Sequence, residues 1–189
     1  MRAASAITLN SSDSSIQVPE LVAAAQNVLL QAQDLMDNST ESQYAQVARS
    51  PFSASVGAHY RHVLEHFHCL MAGLSSGEVN YDARRRDPRI ENELAFAQNA
   101  TRDVLQEFQN WTENTLHQKC RTVSSVAYHF DSESYLDSNI GRELAYCIGH
   151  AIHHYAIIRL ICSEVGLVVP PEFGYAPSTL KHQSSMAAD

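Results

Sequence analysis

Seven of the ten histidines fall in two short segments, His59, His62, His66 and His68 in one and His150, His153 and His154 in the other. At about 100° per residue on a helix, His59, His62 and His66 lie within an arc of roughly 60°, while His68 points elsewhere. His150 and His154, spaced i and i+4, stand one above the other on a single face, and His153 lies to the side. Neutral imidazoles from adjacent turns can converge on one divalent ion. A third histidine from a facing helix completes a three-ligand site with positions left for water or substrate, as in catalytic centres. The second segment is apolar nearly all round, so its imidazoles are expected to be partly buried and in need of partners, a need that a metal meets. Spacing alone leaves His59, His62 and His66 equally eligible as the third ligand.

Other chemistry is sparse. There is no G-x-S-x-G, P-loop, G-x-G-x-x-G or H-E-x-x-H motif. Cys147, three residues before His150, reads as a small buried hydrophobe rather than a nucleophile or fourth ligand. Arg84-Arg85-Arg86, between Asp82 and Asp87, reads as a solvated, ion-paired turn rather than an anion site, and Trp111 and the tyrosines as packing groups. His68, His117, His129 and His182 receive no role.

The elements that must hold these histidines are helical. Val18-Pro19-Glu20 opens a first helix to about Asn38, with apolar residues at helical spacing. A second helix starts near Ser53 or Ser55, either able to cap it, and stops at Ser75-Ser76-Gly77. A charged connection around Tyr81 to Pro88 leads to a third helix, from Pro88 to about Thr115. Residues 121–137 alternate loosely and predict a short hairpin. The fourth helix runs from about Ser138-Asn139 to Val165, with Gly166 as its stop. This predicts an all-α four-helix bundle over 18–166 with long crossover connections. It is flanked by a loose arm at 1–17 and an extended tail at 167–189 laid over the bundle.

The chain of 189 residues carries a formal charge of −8, which argues against a nucleic-acid or anionic-membrane surface. The longest apolar stretch, Leu144 to Cys162, contains three histidines and Arg159, so no membrane span is expected. The N-terminus has no secretory h-region, and the four cysteines, none in a C-x-x-C pair, read as reduced thiols of a cytoplasmic protein.

Two segments resemble the DinB-like superfamily of four-helix metal proteins. Gly149-His150-Ala151-Ile152-His153-His154-Tyr155 is similar to the H-x-x-x-H on its last bundle helix. Ser55-Val56-Gly57-Ala58-His59-Tyr60-Arg61-His62-Val63 is similar to the start of its second helix. Aligning the small-apolar lead-in on Ser55-Val56 places the family's first histidine on His62. The resemblance thus implies the metal triad His62, His150 and His154, with His59, His66 and His153 as rivals or supporting neighbours. It also implies a zinc or nickel ion and a homodimer. The reaction it implies is a thiol-dependent transferase or hydrolase type, using a low-molecular-weight thiol or another small-molecule substrate. The alternative is a non-catalytic metal-binding stress or dimerisation module. The family's usual Arg-Gly after the second histidine is Tyr155-Ala156 here, and the segment Phe173 to Leu180 has no counterpart, which marks a distinct subgroup. Ligation by neutral imidazoles predicts an affinity that drops as pH falls through about 6.

Overall fold

Helix α1, Glu20–Asp37, buries Val22, Ala25, Leu29, Ala32 and Met36 along one side. That i, i+3, i+4, i+7 stripe is what makes an 18-residue segment helical in context, each fully buried leucine contributing about 1.5–3 kcal/mol. A short helix α2, Glu41–Ala45, closed by a Thr40/Gln43 capping box, interrupts the polar stretch that follows. Helix α3, Val56–Ser76, begins where Ser55 Oγ accepts from Ala58 N and ends at Gly77, whose φ of 73° provides the left-handed turn. The computed structural model describes residues 18–49, 53–125 and 134–186. The arm expected at 1–17 lies outside them.

The third helix predicted from Pro88 to Thr115 is a broken run. Helix α4, Pro88–Asn92, is separated by an extended Glu93 (φ −117°, ψ 100°) from α5, Leu94–Glu107. A 3-10 turn, Phe108–Asn110, and helix α6, Glu113–His117, complete it. The break comes from packing rather than from a Pro or Gly. A Cβ on Gly57 of α3 would lie 2.0 Å from the Glu91 carbonyl oxygen, so α4 approaches α3 backbone to backbone. Arg61 pairs with Glu91 at 2.5 Å, and Tyr44 OH donates to Ile90 O at 2.7 Å.

The hairpin is part of a three-stranded sheet ordered β1-β2-β3. Strands β2, Lys119–Ser124, and β3, Ser134–Asn139, pair antiparallel, and β1, Glu78–Asn80, joins β2 in parallel. Residues 126–133 of the predicted hairpin lie outside the described residues.

Helix α7, Ile140–Val165, is capped by Asn139, whose Oδ1 accepts from Arg142 N, and stops at a left-handed Gly166. Helices α1 and α3 each pack on both α5 and α7, so they face one another across the bundle diagonal. The connections from α1 to α3 and from α5 to α7 are therefore crossovers, as predicted. The tail is not wholly extended: α8, Pro177–Met186, is helical, with Pro177 in its first turn and the amides of Thr179 and Leu180 returning to Ala176 O. Before it, Phe173 is fully buried and stacks on Tyr155 with centroids 4.7 Å apart. Arg159 Nη1 donates to the carbonyls of Pro171 (2.8 Å) and Phe173 (3.0 Å). The tail is thus a strap fastened to α7. No helix among the described residues is long and apolar enough to cross a membrane.

Candidate metal centre

Helix α3 presents His59, His62 and His66, and α7 presents His150 and His154, to the seam where the two helices pack. The imidazoles are in mutual contact: His62 lies 4.6 Å from His66, 4.9 Å from His150 and 4.6 Å from His154 between ring centroids. Two nitrogen pairs bridge the helices, His62 Nε2 to His150 Nε2 at 2.9 Å and His59 Nδ1 to His154 Nδ1 at 3.0 Å. All three α3 candidates therefore reach the site. His153 is exposed and meets the edge of the His154 ring at 5.5 Å. His68 points away, as its spacing requires.

Among the described residues, the three donors that fall within 4.8 Å of one another belong to His62, His66 and His150. His62 and His150 are common to this group and to the triad implied by resemblance. His154 stands one ring away, 4.6 Å from His150, while its Nδ1 faces His59. His66 is prepared for ligation by its own backbone. Its Nδ1 lies 2.7 Å from His62 O, and a carbonyl can only accept, so Nδ1 carries the proton and Nε2 keeps its lone pair.

The electrostatics favour neutral rings. Burial first, then the neighbouring imidazoles and Arg84, holds His62 down at about 3. Burial holds His66 and His150 at about 4 and His154 at about 3, and it lowers His59 as well. Tetrahedral zinc–nitrogen bonds of about 2.0–2.1 Å set ligand nitrogens about 3.3 Å apart. The trio already has its donors within 4.8 Å of one another, and neutral imidazole is a donor type that a divalent ion such as zinc accepts.

These values change the expected pH dependence. Protons compete with metal only near the pKa of the ligands, so occupancy should hold from about pH 7.5 to about pH 5 and fall below that, rather than near 6. The metal-free protein should behave differently. Its unfolded chain takes up protons from about 6.5 downward while the native imidazoles do not, so stability falls with acidification between about 6.5 and 4. Metal analysis after dialysis and denaturant unfolding of the metal-free form, both across this range, check the two signs.

A wall that spacing did not announce supports one end of the cluster. The Tyr81 ring stacks on His66 at 5.2 Å, and Tyr146 stacks on His150 at 5.7 Å. Tyr81 OH donates to the buried Glu143 carboxylate at 2.9 Å, which also accepts from Ser138 Oγ (2.5 Å) and Arg142 Nη1 (3.0 Å). A signal for part of this existed: Glu143, Tyr146, His150 and His154 continue a single i, i+3, i+7, i+11 stripe on α7. Cys147 is buried beside Tyr81, its Sγ 3.7 Å from the hydroxyl, and burial pushes the thiol up to about 12. That is an inert thiol, as its sequence context indicates. At the other end, a pocket of about 250 Å³ lined by Ala54, Ala58, His59, His62 and His154 opens onto the rings.

The arginine triplet is not the ion-paired turn expected. Among the described residues none of Arg84, Arg85 and Arg86 forms a salt bridge; Asp87 pairs with Arg89 at 2.7 Å, and Asp82 accepts from Ser125 N.

No protein-family model matches the chain. It is 41% identical over 105 residues to FK506-binding protein 5 of Rhizopus delemar, a stretch that is 55% of this chain and 27% of that relative. The chain thus spans about a quarter of the length of the curated relative it matches. In three dimensions it is similar to the crystal structure of a DinB-like protein, YjoA, of Bacillus subtilis. The TM-score is 0.59 at 15% identity, covering 81% of this chain and 96% of that one. With its histidines gathered between the second and last bundle helices, this chain has the DinB-like fold.

Proposed function

We propose that the chain binds one divalent ion, zinc or nickel, through His62, His150 and a third imidazole, and serves as a thiol-dependent transferase or hydrolase. The observation that carries this reading is the convergence of three imidazole donors from α3 and α7 within 4.8 Å, held neutral by burial. His66, with its proton fixed on Nδ1, is the favoured third ligand, and His154 is the alternative. When bound, such an ion supplies Lewis acidity and keeps a coordinated thiol or water deprotonated near neutral pH. The chain supplies the rest. Tyr81 and Tyr146 orient His66 and His150 by stacking, and Glu143 fixes Tyr81. Cys147, buried with its thiol pushed up to about 12, does not serve as the nucleophile, and a coordinated thiol or water takes that role.

Protein purified without a histidine tag should contain about one equivalent of metal per chain. His66→Ala and His154→Ala then separate the two ligand sets. The true third ligand should cost on the order of a hundredfold or more in affinity, and the supporting one less. Less than about a tenth of an equivalent, unchanged in both variants, overturns metal binding. One observation favours a non-catalytic metal-binding module: the pocket at the rings, about 250 Å³, lies below the usual range of about 300–1,000 Å³ for ligand sites. Absence of metal-dependent turnover with any thiol-plus-electrophile pair, in fully loaded protein, would favour that reading.

A further inference from the structure

A second stripe of α3 faces α5. Glu65, His68 and Cys69 line, with Asp103, Val104 and Glu107 of α5, a cavity of about 570 Å³. Its size falls within the usual range of about 300–1,000 Å³ for ligand sites, and no histidine of the metal seam lines it. One wall carries an unpaired charge. Glu65 is 2% exposed, yet among the described residues no cation pairs with it. Its Oε1 accepts from Asp87 N at 2.8 Å, and its Oε2 receives no donor from the described residues. A carboxylate has about four lone-pair sites, and a glutamate is almost never buried so fully without a charged partner. A single backbone amide offsets only part of the cost of taking that charge out of water.

The rest of the lining sets the sign and shape of the missing partner. Asp103 and Glu107, one turn apart on α5 and both exposed, add two carboxylates against the single guanidinium of Arg85, itself exposed. Met71, Ala72 and Val104 supply apolar wall. A metal ion fits poorly, because among the described residues outside the histidine seam no three donors come within 4.8 Å of one another. An ammonium on an alkyl stem fits well: it brings three donors to a carboxylate and a run of methylenes to the apolar wall. We infer that this cavity binds a small straight-chain alkyl diamine. One ammonium pairs with Glu65, and the other meets the exposed carboxylates of Asp103 and Glu107. The cavity shares no residue with the His62–His66–His150 trio, so the inference stands apart from the metal-binding reading.

Calorimetric titration of the full chain, freed of metal by dialysis against a chelator, tests this with three probes of equal length. Cadaverine, a five-carbon diamine, should bind, the matching amino alcohol about threefold more weakly, and the matching diol not measurably. Glu65→Gln keeps an acceptor for Asp87 N but removes the charge, and should weaken cadaverine binding by about tenfold or more. Asp103→Asn combined with Glu107→Gln, both at exposed positions, should erase the advantage of the diamine over the amino alcohol. Thermal unfolding of each variant identifies any that fail to fold; if Glu65→Gln does, the exposed pair decides. No binding of cadaverine, or equal binding by wild type and Glu65→Gln, overturns the assignment. An unchanged diamine preference in the exposed pair does so too, as does a diol that binds as well as the diamine. Metal-loaded protein should bind cadaverine within about twofold of the metal-free form. A diamine taken up by the loaded protein alone is held by the ion, which overturns the cavity site and leaves the metal reading in place.

Discussion

His150→Ala should weaken metal binding on the order of a hundredfold or more and leave the fold intact. The residue supplies one of three donors, its Nε2 stands 2.9 Å from His62 Nε2, and it lies at the centre of the cluster, touching His62, His66 and His154. Its loss removes a donor whichever of His66 and His154 is the third ligand. Alanine is a good helix former, and position 150 is only half-buried, so α7 should persist. His153→Ala is the matched control: it removes an exposed imidazole three residues along the same helix and should change affinity by less than about twofold. Competition titration against a chromophoric chelator measures both. Equal affinities for wild type and His150→Ala would rule out the centre drawn above.

The second large effect is on stability. Phe173→Ala should cost roughly 3–5 kcal/mol, the usual range for emptying a buried aromatic site. Phe173 is fully buried and lies nearly parallel to Tyr155, 8° between ring planes, and Tyr155 OH donates to Val28 O at 3.0 Å. The ring therefore closes a stack running from the tail through α7 to α1. The next residue shows how tightly the strap is seated: a Cβ on Gly174 would meet Ala156 N at 2.7 Å, and its φ of 77° suits glycine. The melting temperature should drop by about 10 °C. Val168→Ala, at a position 87% exposed, should change it little. A Phe173→Ala protein melting within about 2 °C of wild type would mean that the strap is ornament rather than core.

Features set by local chemistry were legible in the sequence. Ser55 and Asn139 as N-caps, and Gly77 and Gly166 as stops, follow from side-chain and φ preferences that act within a few residues. The break at Glu93 was not legible, because nothing local forbids a helix there; the cause is Gly57, 36 positions earlier, admitting the α4 backbone. Strand β1 was equally hidden, three residues long and defined only by its parallel partner. For the site, spacing places the histidines on faces but not in rotamers. It brought His59, His62, His66, His150 and His154 to one seam, and it could not choose among His59, His62 and His66 as the ligand from α3. Arg84 was misread because a triplet between aspartates looks paired on paper, whereas Asp87 gives both oxygens to Arg89 and Asp82 accepts from Ser125 N.

The two bundle helices that meet at the rings have a consequence for the order of events as the protein is made. His62 and His150 are 88 residues apart, so half of the site leaves the ribosome well before the other half exists. At about 5–20 residues per second, that interval lasts roughly 4–18 s. An early chain offers only His59, His62 and His66 on a single helix, a weak and exchangeable trap for any passing ion. Tight capture must wait for α7, and an ion held only by the packed helix pair then stabilises the folded chain by mass action. Ion supply should thus govern how long the finished protein lasts more than how quickly it forms.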